Sequence, residues 1–161
     1  MVVYYIDSSA LVKRYAAEVG TTWIRGITSP TTNNAILVSL ICGAEVVAAI
    51  AKPHRMVAID SPAARQGIAD FDNHFRGQYI VVPLNRQVVE RAMVLAPLRA
   101  LRGYDAVQLA TALTARDELT AGGVPSISFV SADIDLNAAA AQEGLTVEDP
   151  QAHPGALDLA P

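Results

Sequence analysis

Cysteine is nearly missing: Cys42 stands alone in 161 residues. That excludes an internal disulfide framework and every multi-cysteine zinc site. Charge is sparse too, with 17% Asp, Glu, Lys and Arg and a formal net charge of -4. Such a chain has no overall basic footprint for nucleic acid, so any phosphate it holds must be met by local charge. No lysine follows Lys52. No basic segment precedes the first apolar stretch, residues 2–6, and no apolar run reaches bilayer length. No secretory signal and no membrane span are therefore expected, and the expected location is cytoplasmic. Internal repeats and low-complexity segments are also lacking. What is plentiful is apolar content, 52% of the chain, enough for a substantial core in a chain of one-domain length.

The apolar residues fall into short runs separated by helical patterns. Val2 to Ile6 is β-branched and aromatic, too short for a helix, and reads as a buried strand. Asp7-Ser8-Ser9 comes after it, three residues that favour helix N-caps. A helix is then predicted through Leu11, Tyr15 and Ala16, stopping at Gly20. A short helix carrying Trp23, Ile24 and Ile27 comes next, then a strand over residues 35–38 and a helix over 39–50. Ser61-Pro62 opens another helix to about Phe75, and Tyr79 to Val82 is a third strand. Helices are predicted from Asn85 and from Gly103-Tyr104-Asp105. A fourth strand covers residues 127–130, then a helix over about 133–143, and residues 145–147 offer a fifth, edge strand. Residues 1–148 read as a single domain, and the proline-bearing tail 149–161 is expected to be flexible. Short buried strands alternating with helices indicate an α/β sandwich with a mainly parallel sheet. Such folds bind ligands beyond the carboxyl ends of their strands, where Asp7 and Asp133 lie.

Four acids carry the chemical argument. Asp7 suits a helix N-cap, but Ser8 or Ser9 serves that role equally well. Glu45 lies in a helix that reads as apolar nearly all round, where an unpaired carboxylate is costly. A buried ion pair or a metal would resolve that cost. Asp105 and Asp133 sit in first-turn and cap positions that favour an acid anyway. Asp135 is a further acid two residues on. Oxygen donors without cysteine or a histidine pair suit Mg²⁺ or Mn²⁺ better than zinc. His54, His74 and His153 all read as solvent-exposed, and Cys42 reads as core. Carboxylates holding Mg²⁺ are what phosphodiester hydrolysis requires.

These acids stand in stretches that resemble a known family. Tyr5-Ile6-Asp7-Ser8-Ser9-Ala10-Leu11-Val12-Lys13-Arg14-Tyr15 resembles the opening of PIN domains, in particular the VapC-type toxins of bacterial toxin–antitoxin pairs. Ala44-Glu45-Val46-Val47-Ala48-Ala49 resembles their second motif. Leu101-Arg102-Gly103-Tyr104-Asp105-Ala106-Val107-Gln108-Leu109-Ala110-Thr111-Ala112 resembles the third, and Phe129-Val130-Ser131-Ala132-Asp133 the fourth. The resemblance runs from about Val2 to Pro150, although residues 52–85 carry no matching motif. It implies a three-layer α/β/α sandwich with a five-stranded, mostly parallel sheet. It also implies Mg²⁺- or Mn²⁺-dependent RNA cleavage, a cognate antitoxin and a homodimer.

On this resemblance Asp7, Glu45, Asp105 and Asp133 form the catalytic acid set. Asp7, Asp105 and Asp133 are the metal ligands, and Glu45 either binds metal or orients water. Ser8, Ser9, Ser131 and Asp135 are the supporting residues. Lys13, Arg14 and Arg102 are candidate contacts for RNA phosphate, with ordinary surface charge as the alternative. An antitoxin groove is expected beside Trp23. An inactive PIN-fold binding module is the rival reading. A phosphoacceptor receiver domain would share the architecture, but it calls for paired acids after strand one and a late lysine, and neither is present.

Overall fold

A computed structural model describes residues 1–52, 61–155 and 158. Pro53, His54 and Arg55, and with them most of a small basic patch after Lys52, lie outside the described residues. Five strands, β1 (Val3–Ile6), β2 (Ala35–Ser39), β3 (Ile80–Val82), β4 (Ser128–Val130) and β5 (Thr146–Glu148), form one sheet in the order β3-β2-β1-β4-β5. Every pairing is parallel. The helices are α1 (Ser8–Leu11), α2 (Thr21–Ile27), α3 (Cys42–Ala51), α4 (Pro62–Gly77), α5 (Arg86–Leu98), α6 (Gly103–Ala121) and α7 (Ile134–Gln142).

Strand residues alternate between the two faces, as a pleat demands. Val3, Tyr5, Leu37 and Phe129 pack with α5, α6 and α7. Ile6, Ile36, Val38 and Val130 pack with the helices of the other half. The result is the expected three-layer α/β/α sandwich, with the sheet buried on both sides. Caps account for several helix starts: Ser61, Asn85 and Asp133 each accept a backbone N–H from the first turn they precede.

Two details depart from the sequence reading. The first helix runs only from Ser8 to Leu11, then tightens into a 3-10 turn over Val12–Arg14. The N–H groups of Tyr15 and Ala16 both return to Val12 O. This tight turn leaves Tyr15 edge-on to Phe71 of α4. Second, α3 is not apolar all round in its packing. It buries Cys42, Val46 and Ile50 along one stripe and leaves Ala44, Ala48 and Ala49 exposed. Alanines on the outer face made an ordinary amphipathic helix look buried.

The described part of the tail makes specific contacts. Trp23 of α2 stacks on His153 at 4.4 Å, and His153 pairs with Glu148 at 3.0 Å. Asp158 accepts hydrogen bonds from Gly20 N, Thr22 N and Thr22 Oγ1. Gly20 adopts φ +92°, and a Cβ there would meet Pro150 O at 2.5 Å, so glycine is required where the tail crosses the start of α2. The surface around Trp23, where an antitoxin groove was expected, is thus partly covered by the chain's own tail. Among the described residues, no helix is long and apolar enough to cross a membrane.

Candidate active site

The strand order places a topological switch at β1. The chain leaves β1 toward β2 on one side, and β4 joins β1 on the other. Crevices at the carboxyl ends of such strands are where open parallel sheets build sites. Asp7 comes directly after β1, with its N–H donating to Val130 O at 2.9 Å. Asp133 lies just beyond β4 and caps α7, its Oδ1 accepting from Leu136 N at 2.9 Å.

Two serines lace the strand ends together. Ser9 Oγ lies 2.6 Å from Asp7 Oδ2 and 3.1 Å from Ser131 Oγ, and it accepts from Ala132 N. Ser131 Oγ donates to Asp7 Oδ2 at 3.1 Å and accepts from Asp133 N. Asp7 Oδ2 thereby holds three donors, Ser9 N included. Its Oδ1 has none among the described residues. Asp7 is only 5% exposed, and burial pushes its carboxyl above the usual range, with Glu45 adding to the rise and the serine bonds opposing it.

Glu45 is half-buried on α3. Its Oε2 accepts from Ser8 Oγ at 2.5 Å and from Gln108 Nε2 at 2.6 Å. Gln108, which the sequence reading did not single out, holds this carboxylate. It sits on α6, 1% exposed, and its Oε1 accepts from Tyr5 Oη at 2.7 Å. Its Nε2 also reaches Ser8 Oγ at 2.9 Å. One amide therefore fixes the carboxylate of α3 against the core of the sheet. The available signal was a lone amide in the apolar run of α6, three residues after Asp105 and so on the same helix face. Cys42 lies beside this group, and burial pushes its thiol up to about 12, as expected of an inert core residue.

Asp105 occupies the first turn of α6, half-buried. Its carboxyl is raised first by burial, then by the nearby charges of Asp133 and Asp7, with Arg102 opposing. The structure thus brings Asp7, Asp105 and Asp133 into one electrostatic neighbourhood and links Glu45 to Asp7. Asp135 is exposed and contributes only at range. Among the described residues none of these five acids has an ion-pair partner. The buried side-chain polar atom left without a partner, Asn137 Oδ1, is again an acceptor and lies one turn beyond Asp133.

The basic residues divide. Lys13 is buried and bonds Glu18 at 2.8 Å, so it is a structural pair rather than a surface cation. Arg14 turns to Tyr79 Oη at 2.6 Å and to His74 Nε2 at 3.3 Å. His74 also meets Tyr15 Oη at 3.0 Å and is half-buried, not the exposed side chain expected. Arg102 alone stays at the acids, exposed at the N-cap of α6.

In donor type and charge, the acid set fits a hard divalent cation. No ion pair among the described residues offsets its charge, and burial first, then the neighbouring acids, raises the carboxyls of Asp7 and Asp105. In spacing, no three acids, histidines or cysteines among the described residues meet at one point. Mg²⁺ tolerates that, since it commonly takes one or two carboxylates and keeps several waters.

The fold and site together define a three-layer α/β/α protein with a set of acids at the switch point of its parallel sheet. By sequence the chain matches no family model and no curated protein. In structure it is similar to PAE2754 from Pyrobaculum aerophilum, at 20% identity over 94% of this chain and 92% of that one, with a TM-score of 0.62. It is also similar to a chain of VapBC2 from Rickettsia felis, solved bound to a DNA fragment from their promoter. That likeness has 15% identity over 92% of this chain and 98% of that one, with a TM-score of 0.59. At these identities the likeness establishes the fold.

Proposed function

We propose that this protein is a Mg²⁺- or Mn²⁺-dependent endoribonuclease, the toxin member of a toxin–antitoxin pair. The observation that carries the reading is the set of carboxylates without counter-ions at the switch point between β1 and β4. Retaining unpaired, partly buried acids costs stability unless a cation joins them. The fold shared with a VapBC2 chain and the order of the four motifs support the same assignment.

A divalent ion, when bound, would supply an acidified water and offset charge on the scissile phosphate. Asp7, Asp105 and Asp133 are the groups that would hold it, one or two of them directly and the rest through waters the ion keeps. Ser9 and Ser131 keep Asp7 Oδ2 occupied and leave Oδ1 without a hydrogen-bond partner among the described residues. Glu45 Oε2 is fixed by Ser8 and Gln108, so Oε1 remains to accept a proton from water. Arg102, exposed beside Asp105, contacts an RNA phosphate. An antitoxin partner and a homodimer belong to this reading.

The test is incubation of purified, antitoxin-free protein with a structured RNA pool and Mg²⁺ or Mn²⁺, beside EDTA and Asp7→Asn. Cleavage by the native protein alone, abolished by EDTA, is expected. Equal cleavage by native and variant would overturn the assignment. No cleavage, together with no metal binding, would favour an inactive binding module.

A further inference from the structure

A second region departs from ordinary surface chemistry, on the opposite charge. Most arginines whose side chains are described have a carboxylate partner: Arg76 with Asp72, Arg86 with Glu90, Arg91 and Arg116 with Asp117, and Arg99 with Glu143. Arg14 and Arg25 meet no carboxylate among the described residues. Both line one cleft of about 600 Å³ between the 3-10 turn after α1, the end of α2, and α4. Two unpaired guanidiniums facing one concavity, in a chain of net charge -4, require an explanation.

The cleft is built rather than incidental. Arg14 is held by Tyr79 Oη at 2.6 Å and His74 Nε2 at 3.3 Å, with its guanidinium over the Tyr79 ring at 5.6 Å. Tyr15 Oη closes the network onto His74 Nδ1 at 3.0 Å. Burial and Arg14 both lower the His74 pKa, with Asp70 opposing. These partners are all uncharged, so they orient Arg14 without cancelling its charge. Arg25 Nε donates to the Arg14 backbone carbonyl at 3.1 Å, which ties the second guanidinium to the turn that carries the first and leaves its Nη atoms free among the described residues. Ser29 adds a hydroxyl to the lining. Asp70, held by Gln66 Nε2 at 2.8 Å, adds an acceptor suited to sugar hydroxyls.

We propose that this cleft binds a small phosphate monoester of the nucleoside monophosphate class, with its phosphate on Arg14 and Arg25. Guanidinium forks match phosphate oxygens in charge and geometry. The volume lies within the range of small-ligand sites. Asp70 brings one carboxylate to the same lining, but among the described residues it pairs with neither guanidinium, and a phosphate would supply an anion that contacts both. None of these residues belongs to the acidic pocket, so the cleft stands independently of the nuclease reading.

The test is calorimetric titration of adenosine 5′-monophosphate, inorganic phosphate and adenosine into the native protein and Arg25→Gln, with thermal melts of both. Arg25 is exposed, so the variant is expected to fold and to keep its melting temperature. Saturable binding of the monophosphate, weaker binding of phosphate and none of adenosine are expected. Arg25→Gln should weaken the monophosphate about tenfold or more, the loss of one charge-assisted hydrogen bond. Absence of any heat from both phosphate compounds overturns the proposal, as does unchanged affinity in Arg25→Gln. Adenosine binding as tightly as its monophosphate also overturns it. So does selective binding of an Asp/Glu-rich peptide, which would make the cleft a protein-docking surface instead.

Discussion

The acidic pocket and the arginine cleft are built by the same device with opposite sign. In the pocket, Asp7 and Glu45 are held by Ser8, Ser9, Ser131 and Gln108. In the cleft, Arg14 is held by Tyr79 and His74. Neutral hydrogen-bond partners fix the geometry in both places and leave the charge intact. Lys13 shows the contrast: it is as buried as Asp7, but Glu18 pairs with it at 2.8 Å. On the proposed reading, the groups left unpaired are those that meet a ligand from outside the chain. The two regions differ in the ligand they demand. Carboxylates that repel one another call for a cation, whereas guanidiniums linked through a backbone carbonyl call for an anion.

The largest effect should come from Asp7→Asn. RNA cleavage is expected to fall by more than about 100-fold, beyond the loss typical of a group that only supports a metal ligand. The melting temperature should hold or rise, because an amide replaces a buried, poorly tolerated charge. Loss of activity together with loss of folding would break the comparison, since Asp7 would then be structural like Lys13. Gln108→Leu comes next. It strips a partner from Tyr5 Oη and from Glu45 Oε2, and should cost about 1–3 kcal/mol of stability, measured by urea unfolding. Cleavage should fall even where the variant is fully folded.

The pH dependence sharpens the contrast further. Asp7 and Asp105 have folded pKa values raised above the ordinary 3.8. Their contribution to stability is complete below 3.8 and is lost as pH rises through the higher folded values. Asp158, held near about 2 by Thr22 and the Gly155 N–H, works the opposite way and loses its contribution as pH falls. In metal-free protein, the double variant Asp7→Asn, Asp105→Asn should therefore lose melting temperature more steeply on acidification below neutral than the native chain. Coincident curves would contradict the raised carboxyls. The smallest effect is expected for Lys13→Met. It removes one cation from a pair whose acid is half exposed, and should change stability by about 1 kcal/mol or less. RNA affinity should not change.

Much of this was legible in the sequence because strand and cap chemistry are local. Runs such as Val3-Tyr4-Tyr5-Ile6 and Ser128-Phe129-Val130 can only be short buried strands, and Ser61-Pro62 and Asn85 announce their helices. The acids stood out through their places after strands and in first turns. The missed features are those settled by tertiary contacts. Glu45 drew attention for a reason that fails, since the helix around it is only half buried; its partners, Ser8 and Gln108, lie 37 and 63 residues away in sequence. Lys13 and Arg14 are neighbours that look interchangeable, and packing sends one to Glu18 and the other to Tyr79. His74 and His153 read as surface residues because no periodicity marks a hydrogen bond to Tyr15 or a stack on Trp23.

The central claim, that the acidic pocket holds a divalent cation, is tested most directly by titrating Mn²⁺ into native protein and Asp7→Asn, with free ion monitored by electron paramagnetic resonance. The account predicts saturable binding to the native chain, displaced by Mg²⁺ and lost in the variant, while Arg25→Gln binds normally. Binding of equal strength in native protein and Asp7→Asn, or no binding to the native chain at millimolar ion, would contradict it.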